Sequence, residues 1–283
     1  MAYKVFVPVS KNNLWKSYWQ KSNYKKELEL CKSDGLLPIF EKYLQKKQRI
    51  VEAGCGLGKW VIYFTKKGFN ITGVDNNKYA ILKLKKLFPL IKINLADVKK
   101  LPFKNNSFDA YISLGVIEHF EKGPETVLKE AYRVLKDRGT AIIEVPYNNW
   151  QRIILQTLYQ LKVVLKTPLR ILFEGLGLKE KRKMTKMNFY EHHYSRRELI
   201  GFIRRAGFDI RECFYKDDSH PQKSIGLWLD FPQFRKNSQA DFVLTRPGQR
   251  LKLLYNVFKM RWFYSACICC VAEKPEIKGD YLK

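Results

Sequence analysis

The sequence predicts an α/β fold: a doubly wound, mostly parallel seven-stranded sheet with helical cap insertions. Three observations carry that prediction. Short apolar runs alternate with amphipathic stretches over residues 49–146. The first run opens into a glycine turn, "VEAGCGLGKW". The second, "FNITGVDNN", ends on an acid, Asp75, about 20 residues past that turn.

Ile50 and Val51 begin the first strand, and Gly54, Gly56 and Gly58 alternate behind it before an apolar helix. A dinucleotide fingerprint needs its third glycine at position 59, which is Lys59; a P-loop needs Gly-Lys-Ser/Thr, and "GKW" fails it. Glu52 at the strand end would repel a pyrophosphate but can face a cationic amine. The loop therefore suits a phosphate-free ligand. Asp75, closing the second strand, can accept both hydroxyls of a ribose. "LIKINLADVKKLPF" supplies a third strand ending at Asp97, placed for the exocyclic amine of an adenine. "SFDAYISLGVIEHF" is a fourth strand running into Glu118 and His119, and "LKEAYRVLKDRGTAIIEVPY" reads as helix, turn and fifth strand.

These stretches, with "YSRRELIGFIRRAGFDI" as a helix and sixth strand, resemble the class I S-adenosylmethionine-dependent methyltransferases. The likeness is to the ubiquinone-biosynthesis-type (methyltransferase domain 11) group, whose fold is Rossmann-like, and "KDRG" at 136–139 departs from the Lys-Pro-Gly-Gly usual there. The resemblance implies S-adenosyl-L-methionine as cofactor and S-adenosyl-L-homocysteine as product. Carried over by position, Glu52, Gly54, Gly56 and Gly58 hold the methionine part. Asp75, followed by Asn76, takes the ribose, and Asp97 with the Val98 backbone takes the adenine. Leu114 and Gly115 line the opposite wall, with Glu118 nearby, and Trp19 closes the pocket from the N-terminal segment. Each residue has a structural alternative: a tight turn for the glycines, helix caps for Asp75 and Asp97, a local ion pair for Glu118 and His119, core packing for Trp19.

The methyl group on a sulfonium is already electrophilic, so an enzyme must mainly hold the nucleophile in line and exclude water. An oxygen acceptor also gains from a general base, and His has a suitable pKa. His119, at the end of strand four, is the first candidate; His192 and His193 in "NFYEHHYS" precede a helix that would border the site, or lie on a surface loop.

The division that follows is an N-terminal helical segment (1–48) over the cofactor site, a cofactor-binding core (49–146), and a helical cap insertion (147–194). Residues 195–283 complete the sheet, with a second insertion at about 216–264. In the first insertion Trp150, Ile154, Leu158, Leu161, Leu165, Leu169 and Leu172 recur at helical spacing, Arg152, Lys162, Lys166 and Arg170 edge the stripe, and Pro168 should kink or divide the helix. The second contains "RPGQRLKLLYNVFKMRWFY", with five basic residues and no acid. Such segments suit an anionic membrane surface, a lid over the site, or an ordinary cap.

The formal charge of +26 is spread over every segment and reads as solvated surface more than as a nucleic-acid patch. The six cysteines read as buried, reduced thiols, and no metal site is expected. Without a signal-like N-terminus or a spanning stretch, a cytoplasmic protein is expected, with peripheral membrane contact a further option. The function these features imply is O-methylation of a small or lipid/glycan-linked acceptor. The alternatives are an RNA or protein methyltransferase working through the basic surface, or a non-catalytic binding protein on the same fold.

Overall fold

A computed structural model describes residues 2–8, 24–176, 186–216 and 244–276, with backbone alone for Lys26 and residues 169–175. Trp19 and all but the last residue of the basic stretch "KEKRKMTK" at 179–186 lie outside the described residues. The elements in chain order are β1 (Tyr3–Pro8), α1 (Tyr24–Ser33), α2 (Leu37–Tyr43), β2 (Arg49–Ala53), α3 (Lys59–Lys66), β3 (Asn70–Asp75), α4 (Lys78–Leu87), β4 (Lys92–Leu95) and β5 (Phe108–Leu114). A 3-10 turn at Ile117–His119 follows, then α5 (Glu125–Val134), β6 (Leu135–Pro146), α6 (Trp150–Gly175) and β7 (Met187–His193). The chain continues through α7 (Arg196–Arg205), β8 (Asp209–Lys216), α8 (Arg246–Val257), α9 (Arg261–Tyr264) and β9 (Cys267–Glu273).

Seven strands pair in the order β4-β3-β2-β5-β6-β9-β8, parallel except that β9 runs antiparallel to both of its neighbours. The predicted sheet is present. Its central strands are apolar on both faces because helices cover both. On one side Val127, Leu128, Ala131 and Val134 of α5 pack with Leu199 and Ile203 of α7. On the other, Phe40, Trp60, Phe64, Ile81 and Leu84 form a second buried layer. Trp60 anchors it, with the Phe40 ring edge-on at 4.8 Å and the Phe64 ring stacked at 5.6 Å.

Five expectations need correction, that for Pro168 only as to division of the helix. Residues 1–48, expected to be helical, begin with a strand: Tyr3–Pro8 pairs antiparallel with Met187–His193 in a separate two-stranded ribbon. The same pairing makes the end of the 147–194 insertion a strand, so His192 and His193 stand on β7. Pro168 lies inside α6 without dividing it, and the 136–139 segment falls within β6 rather than in a turn before it, with Arg138 at φ +61°. Finally, Cys213 and Cys270, register partners on β8 and β9, are joined as a disulfide, whereas Cys31, Cys55, Cys267 and Cys269 are buried thiols.

Charge ties the N-terminal helices to the sheet. Lys216, at the end of β8, places Nζ 2.9 Å from Glu144 Oε2 and 3.2 Å from Asp34 Oδ1, and Lys59 Nζ reaches Asp34 Oδ2 at 3.3 Å. Lys216 and Asp34 are both buried, so the cation offsets two anions removed from water. Lys216→Met should destabilise the protein by about 3 kcal/mol or more in chemical denaturation, because the carboxylates lose their buried partner. A change below about 0.5 kcal/mol would show that the network contributes no net stability.

Candidate active site

The glycine loop follows β2 directly. Gly54, Gly56 and Gly58 adopt φ of +80°, +52° and +66°, a region that costs an L side chain about 1–2 kcal/mol. The Gly54 and Cys55 amides donate to the Val74 carbonyl at 2.7 and 2.9 Å, which folds the loop back over β3. A Cβ on Gly54 would lie 2.3 Å from Val116 Cγ2, so the loop is pressed against the chain leaving β5. Glu52 points into this corner almost fully buried, and its Oε2 has no hydrogen-bond partner. Burial pushes its carboxyl up to about 8, against the pull of Lys59 and the Val61 amide. An orphaned buried carboxylate beside a bare backbone cradle fits a ligand carrying an amine.

The second acid is preset by the backbone. Asp75 Oδ2 accepts from the Gly56 amide and Oδ1 from the Asn77 amide, both at 2.8 Å. One carboxylate thus fixes the loop on one side and the start of α4 on the other. Asn77 caps α4, accepting from the Ala80 amide at 3.0 Å, and Asn76 beside it is exposed. Asp97 is part-exposed, accepts from the Lys99 amide at 2.9 Å and pairs with Lys99 Nζ at 3.3 Å, while Val98 is buried. Across the cleft, Gly115 has φ +68° and donates its N–H to the Glu144 carbonyl at 3.0 Å, continuing the edge after Leu114.

Around His119 the structure adds residues that were not anticipated. His119 Nδ1 lies 2.8 Å from the Tyr190 carbonyl. A carbonyl only accepts, so Nδ1 donates to it. Nε2 stands 3.9 Å from Glu118 Oε1. Glu118 is buried, its Oε2 has no partner, and burial raises its carboxyl to about 8. Glu191 comes to the same place from β7 and is held from behind by His193, whose Nε2 lies 2.6 Å from its Oε1. Arg152 Nη1 reaches the same His193 nitrogen at 3.1 Å.

The three histidines therefore separate. His119 is part-exposed beside Glu118. His193 is buried and engaged with Glu191, so it orients a carboxylate instead of meeting an acceptor. His192, on the opposite face of the strand, bonds the Glu121 carbonyl at 3.2 Å and stacks on Tyr194. It lines an outer groove of about 810 Å³ to which no residue of the glycine loop contributes. Arg152, expected on an exposed cationic edge, is fully buried: Asn149 accepts from its amide at 2.8 Å, capping α6 and turning that first-turn side chain inward. Glu191 was legible only through strand alternation, which puts it on one face with His193.

Residues 51–143 match the family described as "Methyltransferase domain". A 2-methyl-6-phytyl-1,4-hydroquinone methyltransferase of Arabidopsis thaliana is 36% identical over 102 residues, covering 35% of this chain and 30% of that protein. The sterol 24-C-methyltransferase of Saccharomyces cerevisiae is 35% identical over 108 residues, 34% of this chain and 27% of its own length. The chain thus spans under a third of the length of these two relatives. Among solved structures, an S-adenosylmethionine-dependent methyltransferase of Methanosarcina mazei superposes with TM-score 0.54 at 20% identity, over 84% of this chain and 97% of that one. A Burkholderia thailandensis 1,6-didemethyltoxoflavin-N1-methyltransferase, solved with S-adenosylhomocysteine, does so with TM-score 0.53 at 13% identity, over 98% and 97%. Residues 51–143 thus carry a methyltransferase domain of the methyltransferase domain 11 group, on the fold shared with the S-adenosylmethionine-dependent methyltransferases above. S-adenosylmethionine is the cofactor of that domain.

Glu52 yields a test. Its folded pKa lies above its ordinary 4.5, so its contribution to stability is complete below pH 4.5 and is lost as pH rises through about 8. A cationic amine seated on it would reverse that balance and release about one proton near pH 7. Calorimetry of S-adenosylhomocysteine binding in buffers of different ionisation enthalpy should show this release, and Glu52→Gln should abolish it. In the same titration Asp75→Ala should weaken binding by about 1–3 kcal/mol, and NAD should not bind. Equal affinity for NAD would overturn the assignment of the loop.

Proposed function

We propose that this protein transfers the methyl group of S-adenosylmethionine to an oxygen of a small, apolar, lipid- or glycan-linked acceptor at an anionic membrane surface. When bound, the cofactor supplies an electrophilic methyl group on a sulfonium. The chain's own residues then have three tasks. Glu52 and the glycine loop hold the amino-acid part, while Asp75, Asp97 and Val98 hold the nucleoside. The Glu118–His119–Glu191 cluster activates the acceptor hydroxyl. The cap excludes water.

The observation that carries the acceptor class is an exposed apolar face on the cap. Trp150, Ile154, Leu158, Leu161 and Leu165 of α6 are about half exposed or more, as are Leu253, Leu254, Val257, Phe258 and Trp262 of α8, α9 and the turn between them. Helix α9 packs against both α6 and α8. Lys162, Lys166, Arg246, Arg250, Lys259 and Arg261 are exposed around them, and neither 150–173 nor 246–264 contains an acid. Apolar side chains rimmed by cations suit an anionic lipid surface. Among the described residues no helix is long and apolar enough to cross a membrane. The names of the two relatives, a phytyl-hydroquinone and a sterol methyltransferase, agree with an apolar acceptor.

Incubation with methyl-labelled cofactor and fractionated cell extract should place label in the lipid fraction. Label in RNA or protein would favour the basic-surface alternative, and no label in any fraction would favour a binding protein. In a separate vesicle flotation assay the protein should float with anionic and not with neutral vesicles. Raising the salt should weaken this, and Lys162→Glu with Lys166→Glu should reduce it by about 10-fold or more, since each cation near the surface contributes about 1 kcal/mol. Failure to float at low salt would leave the apolar face as an ordinary cap surface.

A further inference from the structure

We infer that the outer groove beside β7 is a second binding site and that it takes a neutral sugar ring. Its volume, about 810 Å³, lies within the roughly 300–1,000 Å³ of small-molecule sites. Five segments distant in sequence build it: the start of β1, residues 121–125, the first half of α6 with Asn148 before it, the end of β7 with Tyr194, and α7. Neither the glycine loop nor Glu118, His119 or Glu191 lines it, so binding here does not depend on the methyl-transfer reading.

Four lining residues carry a buried polar atom with no hydrogen-bond partner among the described residues. They are Asn148 Oδ1, Gln156 Nε2, His192 Nδ1 and the Tyr194 hydroxyl. Polar groups left in that state are costly, and a ligand that bonds them removes the cost. His192 is held through its other nitrogen, Nε2, which donates to the Glu121 carbonyl at 3.2 Å, so Nδ1 is the atom left over. Asn148 and Gln156 are part-exposed, and their terminal torsions turn broadly, so each amide can present either end to the groove.

This set selects the class of ligand. An anion would meet only the donors and a cation only the acceptors, whereas hydroxyls give and accept and so meet all four. The charges of the lining favour neither sign. Lys4 and Lys122 stand with Glu121, Glu125 and Glu198, and Glu198 is already bonded to Ser195 at 2.8 and 2.9 Å. Rings supply the apolar wall such sites also need: His192 stacks on Tyr194 at 5.5 Å, and Phe202 stands edge-on to Tyr194 at 5.5 Å. Helix α6 then relates the groove to the cap's apolar face. Ile153, Gln156, Thr157 and Gln160 line the groove, and the exposed Ile154, Leu158, Leu161 and Leu165 lie about a third of a turn round the same helix. That juxtaposition favours a sugar carried on a lipid over a free one.

The test uses the full chain and two kinds of probe. A panel of neutral mono- and disaccharides is titrated by saturation-transfer-difference NMR. Phosphatidylcholine vesicles with and without a neutral galactosyl lipid are used in flotation. At least one free sugar should bind at millimolar concentration or below, and the protein should float with the glycolipid vesicles but not with the plain ones. Tyr194→Phe and Gln156→Leu should each weaken sugar binding by about 3–10-fold, the scale of one neutral hydrogen bond. Thr167→Ala, further along α6, should leave it unchanged. Tyr194→Phe should melt at or above the wild-type temperature by circular dichroism, because its hydroxyl has no partner to lose, so weaker binding there is not loss of fold. Sugar binding without glycolipid flotation keeps the groove as a site for free saccharide. Binding of no probe overturns the site, as does wild-type affinity in both variants. Tighter binding of inorganic phosphate, lost in the same variants, overturns the assignment to a sugar.

Discussion

Four carboxylates stand at the carboxyl edge of four adjacent strands, and the site depends on how each is neutralised. In the order β3, β2, β5, β6 they are Asp75, Glu52, Glu118 and Glu144. Asp75 is satisfied by two backbone amides, which also makes it the fastener of the glycine loop. Glu144 has a fixed counter-ion in Lys216. Glu52 and Glu118 each keep one oxygen, Oε2, without a partner, and burial raises both carboxyls to about 8. These two acids flank the cleft where a cationic cofactor and its acceptor would meet. A row of buried acids is unfavourable by itself and becomes favourable when positive charge enters.

The contrast with the rest of the molecule is sharp. The chain carries a formal charge of +26, yet its cleft is lined with acids. Surface lysines in water interact weakly with one another and can serve solubility or an anionic surface. Inside, charge is handled one group at a time. Lys59, the residue that rules out a dinucleotide fingerprint, pairs with Asp34 and moderates Glu52. Lys216 closes the same network from the far edge of the sheet.

The cap is joined to this chemistry through its first turn. Asn149 accepts from the Arg152 amide and donates to the Ser265 carbonyl at 3.0 Å, so it fixes the start of α6 against the segment entering β9. Arg152 then lies beside His193, whose Nε2 donates to Glu191. Further along α6 the side chains turn to solvent. One helix therefore contacts the cluster around Glu191 at one end and presents exposed apolar side chains further along.

The cofactor half was legible in the sequence because its signals are local. Alternating burial, glycines at positive φ and an acid at a strand end act within a few residues, so "VEAGCGLGKW" and "FNITGVDNN" specify their own geometry. The acceptor half was not legible. Glu191 sits between a tyrosine and two histidines that draw more notice, and its role depends on β7 pairing with β1, a contact across more than 180 positions. Arg152 looked like one cation of an exposed edge until Asn149 turned the start of α6 inward. Asp34, Glu144 and Lys216 are ordinary charged residues until the sheet brings them within 3.2 Å. Sequence alone determined the sheet and the glycine loop, since each follows from local backbone and burial. Only the tertiary structure decided which histidine stands beside Glu118 and Glu191, because side chains distant in sequence meet there solely through packing.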